Sequence, residues 1–217
     1  MRAVKAMLFD LDGTLLHSAP ELVDSLNFVR ASMGMASLAA EEVGHASTRG
    51  IPGLLKAGMP ETDKSTFQDW RRLLTDHYVG NGMCDSKLYD GVSELISTLV
   101  SEGIPWGIVT NRSEILTGPV LASTGLDETV SCVVCGDTLE KKKPHPEPVL
   151  LACERIGVDP ADALFAGDDP RDVEAGQAAG TQTAAVFYGY GSSLFDGSVA
   201  ERSIPVNHPS DLIPLVR

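Results

Sequence analysis

Two aspartates separated by one residue stand at the end of an apolar stretch near the start of the chain. The segment from Val4 to Asp10 is predicted to be a buried strand, and the sequence Asp-Leu-Asp-Gly-Thr begins at Asp10. Because side chains alternate along an extended segment, the carboxylates of Asp10 and Asp12 can point to the same side. One carboxylate could then attack a substrate while the other carries protons, and the pair would also attract a divalent cation.

Three further stretches place polar side chains where a predicted strand ends or a predicted helix begins. Hydroxyl and amide groups can hydrogen-bond phosphate oxygens, lysine offers a point charge, and clustered carboxylates could complete a metal site. These groups are Thr110 and Asn111 after the apolar run 104–109, Lys143 in a Lys-Pro-His-Pro loop before a helical run, and Asp168, Asp169 and Asp172 after the apolar run 163–166.

The elements that must position these groups follow from the hydrophobic pattern. Helices are predicted at 92–102, 113–123, 147–156 and 170–179, in alternation with strands at 104–110, 130–135, 163–166 and 182–187. A Gly- and Ser-rich loop at 189–198 then precedes a short terminal strand and helix. This alternation predicts an α/β fold with a Rossmann-like, doubly wound parallel sheet that is covered by helices on both faces.

The stretch before this series has a different pattern. Between Leu16 and Asp90 there is no convincing buried strand, but a capping box at Ser18 to Glu21 and an amphipathic run at 65–78 predict helices. We therefore expect two domains: an α/β catalytic core formed by 1–16 and 90–217, and an inserted all-helical cap formed by 17–89. A cap above the carboxyl edge of the sheet could exclude water by closing.

The order of these motifs resembles that of the haloacid dehalogenase superfamily, whose phosphatases carry Asp-x-Asp-Gly-Thr as their first motif. The resemblance covers residues 3 to about 190 and implies that Asp10 attacks phosphorus to form an aspartyl phosphate. It implies that Asp12 protonates the leaving alcohol and later activates water. Haloacid dehalogenases characteristically lack this second aspartate, so the presence of Asp12 favours phosphatase chemistry.

The same resemblance implies which groups hold the metal and the phosphate. Mg²⁺ is the expected cofactor, and its preference for oxygen ligands suits a carboxylate site. By resemblance, the metal ligands are Asp10, the backbone carbonyl of Asp12 and Asp168, with Asp169 and Asp172 supporting them, and the phosphate ligands are Thr110, Asn111 and Lys143.

The resemblance leaves the substrate open. The pattern Asp-Gly-Thr-Leu-x-x-Ser-Ala-Pro-Glu-Leu from Asp12 is typical of phosphoglycolate phosphatases. The stretches 86–88, 106–111, 167–169 and 183–190 are similar to those of N-acetylmuramic acid 6-phosphate phosphatases, which act on a cell-wall sugar. A mutase of the β-phosphoglucomutase type would use the same aspartyl phosphate. A protein that keeps the fold without turnover is disfavoured because the catalytic set is complete.

Two residues of the predicted cap are candidates for contact with the substrate. Arg49, followed by a glycine, could bind a substrate carboxylate, and a solvated loop arginine is the alternative. His17 occupies a position where relatives usually carry aspartate. It is either a hinge residue or a pH-sensitive contact near the active site.

Composition limits the class of partner. The 217 residues include 30 Asp and Glu against 17 Lys and Arg, a net charge of −13 that disfavours nucleic acid and leaves a small phosphorylated metabolite as the expected partner. The sequence shows neither a signal peptide nor an apolar run long enough to span a membrane, so a cytoplasmic location is expected. The four cysteines are expected to be reduced. The sequence does not distinguish a monomer from a homodimer.

Overall fold

The computed structural model describes residues 3–195, 197 and 202–216. In this part of the chain the strands are β1 (Ala6–Phe9), β2 (Leu16–His17), β3 (Lys87–Leu88), β4 (Trp106–Val109), β5 (Cys132–Val134), β6 (Ala163–Gly167), β7 (Gln182–Val186) and β8 (Ile204–Val206). The α-helices are α1 (Ala19–Ser32), α2 (Ala40–Val43), α3 (Gly50–Gly58), α4 (Lys64–Asn81), α5 (Val92–Ser101), α6 (Glu114–Thr124), α7 (Glu147–Ile156) and α8 (Pro170–Ala179).

Six of these strands form one parallel sheet in the order β5-β4-β1-β6-β7-β8. Strand β1 is central and all four of its residues are buried. Met7 and Phe9 pack into one apolar core, and Leu8 between them packs into a second core on the opposite face. A strand that is covered by helices on both faces must be apolar on both. The two cores therefore confirm the predicted α/β fold with a doubly wound parallel sheet.

Different helices cover the two faces of the sheet. Leu95 of α5 and Val120 of α6 belong to the core that contains Phe9. Val149 of α7 and Ala175 of α8 belong to the core that contains Leu8. The backbone of each strand is thereby held from both sides, and the loops that leave the strands start from fixed positions.

Strands β1, β4 and β6 are direct neighbours, so the loops that follow them begin side by side at one edge of the sheet. From β1 the strand order continues in both directions, to β4 on one side and to β6 on the other. Ligands of open α/β sheets bind in the crevice at such a switch point, outside the carboxyl ends of the strands. The three motifs that follow these strands therefore meet at this edge.

Helices α1 to α4 form an insert between β2 and β3, which pair as a two-residue antiparallel ribbon with Leu16 opposite Leu88. The sequence showed no strand here, because two residues are too few to produce a periodic pattern. Apolar side chains of α1, α3 and α4 belong to the same core as Phe9. The predicted boundaries of the cap at 17 and 89 lie at this ribbon and stay a prediction.

The capping box predicted at Ser18 is wrong in its contacts. Ser18 precedes α1, but its hydroxyl donates to Oδ1 of Asp12 at 2.5 Å and does not cap the helix. The carboxylate of Glu21 accepts a hydrogen bond from Ser86 at 3.3 Å. Acceptors and donors brought near by the tertiary fold have thus replaced the local ones. Helix α4 does have the expected kind of cap, since Asp63 accepts from the first-turn amides of Ser65 and Thr66.

Three of the four cysteines are buried. Cys132, Cys135 and Cys153 are free thiols, and burial raises the pKa of Cys132 and Cys153 to about 11. Among the described residues, no helix has both the length and the apolar character needed to cross a bilayer. The predicted terminal strand is β8 and the helix after it is a 3-10 helix, Pro209–Val216. Residues 196 and 198 of the predicted Gly- and Ser-rich loop lie outside the described residues.

Candidate active site

Asp10 lies at the carboxyl end of β1 and is ion-paired with a buried lysine. Nζ of Lys143 is 2.7 Å from Oδ1 of Asp10, and it is also 2.7 Å from Oδ1 of Asp172. The same ammonium donates to the carbonyl oxygen of Val109 at 2.7 Å. All three side chains are buried. One cation from the loop before α7 thus joins the ends of β1 and β4 to helix α8.

The electrostatics of this group follow from burial and from the pairing of opposite charges. Burial raises the pKa of Asp10 to about 7, with Asp172 adding to the rise and Lys143 opposing it. Burial also raises the pKa of Asp172. For Lys143, burial acts to lower the pKa, but the Asp10 and Asp172 carboxylates outweigh it and raise the pKa. The lysine therefore stays charged near neutral pH and stabilises the ionised form of Asp10.

Asp168 follows β6 and is completely buried beside the loop that contains Gly13. One carboxylate oxygen accepts from the Gly191 amide at 2.8 Å, and the other lies 3.5 Å from the Thr14 hydroxyl. Burial and the carboxylates of Asp10 and Asp172 raise the pKa of Asp168 well above its usual value. This crowding of negative charge favours a bound cation.

Oxygen ligands for a metal ion are available here. Carboxylate oxygens of Asp10, Asp168 and Asp172 lie within 4.8 Å of one another. Asp172 already accepts from Lys143 through one oxygen and from the Asp169 amide through the other. The carbonyl oxygen of Asp12 accepts no hydrogen bond from the described residues. The donor set therefore fits a hard cation, with Asp10, Asp168 and the Asp12 carbonyl as its free ligands.

Asp169 is held by Arg171 and by the start of α8. Its carboxylate accepts from the backbone amide of Arg171 and from the Arg171 guanidinium at 2.7 and 2.8 Å. Although burial opposes this effect, the Arg171 hydrogen bonds lower the pKa of Asp169. The guanidinium also donates to the Thr48 carbonyl of the insert at 2.6 Å. Asp169 is thus engaged in helix capping and in holding a contact between the insert and the sheet.

Asp12 is also anchored by a guanidinium. Nη1 of Arg112 lies 2.8 Å from Oδ1 of Asp12, the oxygen that accepts from Ser18. Nη2 of Arg112 donates to the Tyr78 hydroxyl at 2.7 Å, and Nε donates to the Leu116 carbonyl at 3.0 Å. Burial alone would lower the pKa of Arg112, but the Asp12 carboxylate raises it, so the guanidinium remains charged.

Thr110 and Asn111 reach the same edge of the sheet in different ways. The buried Thr110 hydroxyl accepts from the Arg112 amide at 3.1 Å, and its own proton remains free to donate. The Asn111 amide is paired with the backbone of Lys143, donating to its carbonyl and accepting from its N–H, each at 3.1 Å. The sequence predicted phosphate contact for Asn111. That contact stays a prediction, and in the structure the side chain holds the loop of Lys143.

All of these side chains except that of Asp168 line a cavity of about 590 Å³ between the sheet and the insert. The insert contributes residues 47–52 and one side of α4, and the sheet contributes the loops after β1, β4 and β6. Six cationic side chains line the cavity: Arg49, Arg71, Arg112, Lys142, Lys143 and Arg171. Among the described residues, Arg49, Arg71 and Lys142 have no carboxylate partner, so they are available to an anionic ligand.

The two candidates for substrate contact differ in position. Arg49 lies at the end of the 3-10 segment before α3 and lines the cavity, as binding of a substrate carboxylate would require. His17 lies on β2 with an exposed side chain, and Nδ1 is 3.1 Å from the Tyr89 hydroxyl. It is not a lining residue of the cavity. This position favours the interpretation of His17 as a hinge residue.

Sequence reasoning missed Arg112, Tyr78 and the Gly191 amide. Arg112 had a local signal, since it is a cation directly after Thr110 and Asn111 at the end of a strand. Tyr78 resembled an ordinary apolar position of an amphipathic helix. Gly191 carries no side chain, and its contact with Asp168 depends only on how the loop after β7 folds back.

Comparisons with known proteins agree with this geometry. The sequence profile of the family described as haloacid dehalogenase-like hydrolase matches residues 7–186. An N-acetylmuramic acid 6-phosphate phosphatase of Pseudomonas aeruginosa is 36% identical over 214 residues, covering 98% of this chain and 95% of that protein. A phosphoglycolate phosphatase of Xylella fastidiosa is 37% identical over 188 residues, covering 87% and 82%. The crystal structure of a predicted phosphoglycolate phosphatase from Haemophilus somnus 129pt superposes with a TM-score of 0.89 at 26% identity, covering 100% of both chains.

Proposed function

Because this chain belongs to the haloacid dehalogenase-like hydrolases, we propose that it is a Mg²⁺-dependent phosphatase that hydrolyses a small phosphorylated metabolite. The observation that carries the proposal is the position of Asp10. Its side chain is buried and ion-paired with Lys143, lies near Asp168, and lines the cavity. Such a carboxylate can serve as a nucleophile that is held in place and shielded from bulk water.

In the proposed reaction, Asp10 attacks phosphorus and the bond from phosphorus to the leaving oxygen breaks. Asp12 donates its proton to that oxygen, and an aspartyl phosphate remains on Asp10. A water molecule then attacks phosphorus and gives a proton to Asp12, the bond to Asp10 breaks, and inorganic phosphate leaves. Lys143 offsets the repulsion between Asp10 and the incoming anion, and Thr110 can donate to a phosphate oxygen.

Asp10, Asp168 and the Asp12 carbonyl would hold the metal in this scheme. When bound, Mg²⁺ would supply positive charge that offsets the charge of the transferring phosphoryl group. Asp172 keeps Lys143 between itself and Asp10, and Asp169 keeps the start of α8 in place. These two carboxylates therefore support the site through the residues that they hold.

The cavity supports a substrate that carries a second anionic group. Both 2-phosphoglycolate and N-acetylmuramic acid 6-phosphate contain a carboxylate besides the phosphate. We assign this group to Arg49, with Arg71 nearby on the insert, since both line the cavity without a carboxylate partner among the described residues. The volume of about 590 Å³ is generous for a two-carbon phosphate and favours the larger phosphosugar.

Phosphate release from a substrate panel tests this function. The panel contains 2-phosphoglycolate, N-acetylmuramic acid 6-phosphate, hexose phosphates and 4-nitrophenyl phosphate, each assayed with Mg²⁺ and with EDTA. We expect release that requires Mg²⁺, a preference for one of the two carboxylate substrates, and loss of turnover in Asp10→Asn. Arg49→Gln should raise KM for the preferred substrate and leave 4-nitrophenyl phosphate, which has no carboxylate, nearly unchanged.

Other outcomes of the panel identify the alternatives. Phosphate that moves to a second hydroxyl of a hexose phosphate, with little release to water, would identify a mutase of the β-phosphoglucomutase type. No release from any substrate by folded, Mg²⁺-loaded protein would contradict the proposal. The cytoplasmic location and the lack of a nucleic-acid partner stay predictions from the sequence.

A further inference from the structure

Arg112 is a buried cation to which the proposed chemistry assigns no role. It lies on the loop between β4 and α6, and its side chain is only 6% exposed. Its guanidinium contacts Asp12, the Tyr78 hydroxyl and the Leu116 carbonyl, so its donors face three different parts of the chain. A buried guanidinium whose three nitrogens each donate a hydrogen bond fixes the groups around it.

The contact with Asp12 leaves one carboxylate oxygen free. Oδ1 accepts from Arg112 at 2.8 Å and from Ser18 at 2.5 Å. Oδ2 accepts no hydrogen bond from the residues that the structure describes, and Asp12 lines the cavity. Two donors on one oxygen restrict the rotation of the carboxylate. The second oxygen is thereby left to exchange protons with a ligand.

The contact with Tyr78 crosses from the sheet to the insert. Tyr78 lies on α4 and is completely buried, and its hydroxyl accepts from Nη2 of Arg112. The Tyr78 ring also packs against the guanidinium, with Cζ of Arg112 5.2 Å from the ring centroid. Asp12, Arg112 and Tyr78 thus form a continuous polar chain from the loop after β1 to a helix of the insert.

We propose that Arg112 is a positioning residue that fixes Asp12 through Oδ1, directs Oδ2 toward the leaving oxygen, and ties this orientation to the position of α4 through Tyr78. The inference rests on the proposed role of Asp12 in proton transfer. It adds that efficient protonation of the leaving group requires α4 to lie in contact with the sheet. Arg112 itself exchanges no proton.

The test compares leaving groups of different acidity. An alkyl phosphate leaves as a poorly stabilised alkoxide and needs a proton from Asp12, whereas 4-nitrophenolate leaves readily without one. kcat/KM is measured for the preferred alkyl substrate of the panel and for 4-nitrophenyl phosphate. It is measured in Arg112→Met, Arg112→Lys, Tyr78→Phe and, as the reference for a lost proton donor, Asp12→Asn.

We expect Arg112→Met to lower kcat/KM about 100-fold or more for the alkyl substrate but less than about 10-fold for the aryl substrate. Arg112→Lys should recover part of the loss because it returns a donor to Oδ1. Tyr78→Phe, which keeps the ring, should show the same selectivity with a smaller loss. Adding Arg112→Met to Asp12→Asn should cause little further loss for the alkyl substrate.

Equal losses for the two substrates in Arg112→Met and Tyr78→Phe would overturn the inference and indicate a structural or phosphate-binding role. Unchanged kinetics in both variants would overturn it as well. If Asp12→Asn itself affects both leaving groups equally, the proposed role of Asp12 fails. If Asp12→Asn shows the selectivity and the other variants do not, only the inference about Arg112 fails. Tyr78→Phe retains the packing of α4 and decides the question even if Arg112→Met does not fold.

Discussion

At the residue scale, Lys143 connects several parts of the site. It is buried between two carboxylates and also donates to a main-chain carbonyl at the end of β4. A buried ion pair adds little net stability when both partners are considered, because desolvation offsets the attraction. Removal of one partner is costly, since it leaves the other charges buried without compensation. Lys143 is therefore important to the local structure, apart from its proposed role in phosphate binding.

We expect Lys143→Met to lower kcat/KM at least about 100-fold and to lower the free energy of unfolding by roughly 3 kcal/mol at pH 8. The deficit in stability should be smaller at pH 5, where Asp10 and Asp172 can take up protons. Urea unfolding at the two pH values in metal-free buffer measures this effect. The control is Lys141→Met, an exposed neighbour paired with Glu147, which should change stability little. Wild-type stability of Lys143→Met at pH 8 would contradict this account.

At the element scale, the turn after β1 is shaped by close packing against the loop after β6. Gly13 has φ of +89°, a conformation that side chains disfavour, and a Cβ at this position would overlap the Asp168 carboxylate. The Gly191 amide approaches the same carboxylate from the loop after β7. Three loops from three neighbouring strands thus enclose Asp168, and the absence of side chains at two of them makes this possible.

We expect Gly13→Ala to abolish activity and to destabilise the protein by more than backbone strain alone. Gly103→Ala is the matched control, because Gly103 has φ of +67° and no atom within 4 Å of a built Cβ. Strain of about 1 kcal/mol is common to both variants, and the clash with Asp168 is specific to Gly13→Ala. Thermal unfolding and phosphate release measure the difference. Similar effects of the two substitutions would show that the contact with Asp168 is unimportant.

At the scale of the whole molecule, an acidic protein concentrates positive charge on one cavity. The net charge is −13, yet six cationic side chains line the space above the carboxylate cluster. This local concentration offsets the repulsion that the overall charge exerts on an anionic ligand. The cluster of Asp10, Asp168 and Asp172 favours binding of a cation, because its carboxylates repel one another when no cation is bound.

The raised pKa values of these carboxyl groups predict how pH affects stability in the absence of metal. The pKa of Asp10 rises from 3.8 to about 7 on folding, so the folded protein holds this proton more tightly than the unfolded chain does. The free energy of unfolding of the metal-free protein should therefore fall as pH rises from about 4 to about 7. Mg²⁺ should restore stability, and it should do so more at pH 8 than at pH 5.

Thermal unfolding in EDTA and in Mg²⁺ at these two pH values tests this prediction. A difference of a few kcal/mol corresponds to a change in Tm of roughly 2–4 °C for each kcal/mol. In Asp168→Asn, which removes one of the competing charges, both the pH dependence in EDTA and the effect of Mg²⁺ should be weaker. An equal gain from Mg²⁺ at pH 5 and pH 8 would contradict the prediction.

The fold class and the candidate groups of the site can be predicted from the sequence alone. Alternating helices and strands specified a parallel sheet, and polar residues at the ends of strands indicated its reactive edge. Asp10, Lys143 and Asp168 could be named as candidates because each lies next to an element with a clear hydrophobic pattern. The direction in which the strand releases each side chain is a local property, so it can be predicted from neighbouring residues.

The pairing of these groups with one another depends on the tertiary fold. Ser18 caps no helix because Asp12 lies within reach, and Asn111 is paired with the backbone of Lys143, 32 residues away in sequence. Arg112 reaches both Asp12, 100 residues earlier, and Tyr78 on the insert. Hydrogen bonds and ion pairs act over about 3 Å, and the fold alone sets distances of that size between residues far apart in the chain. The packing of the insert above the sheet likewise determines which of its side chains line the cavity.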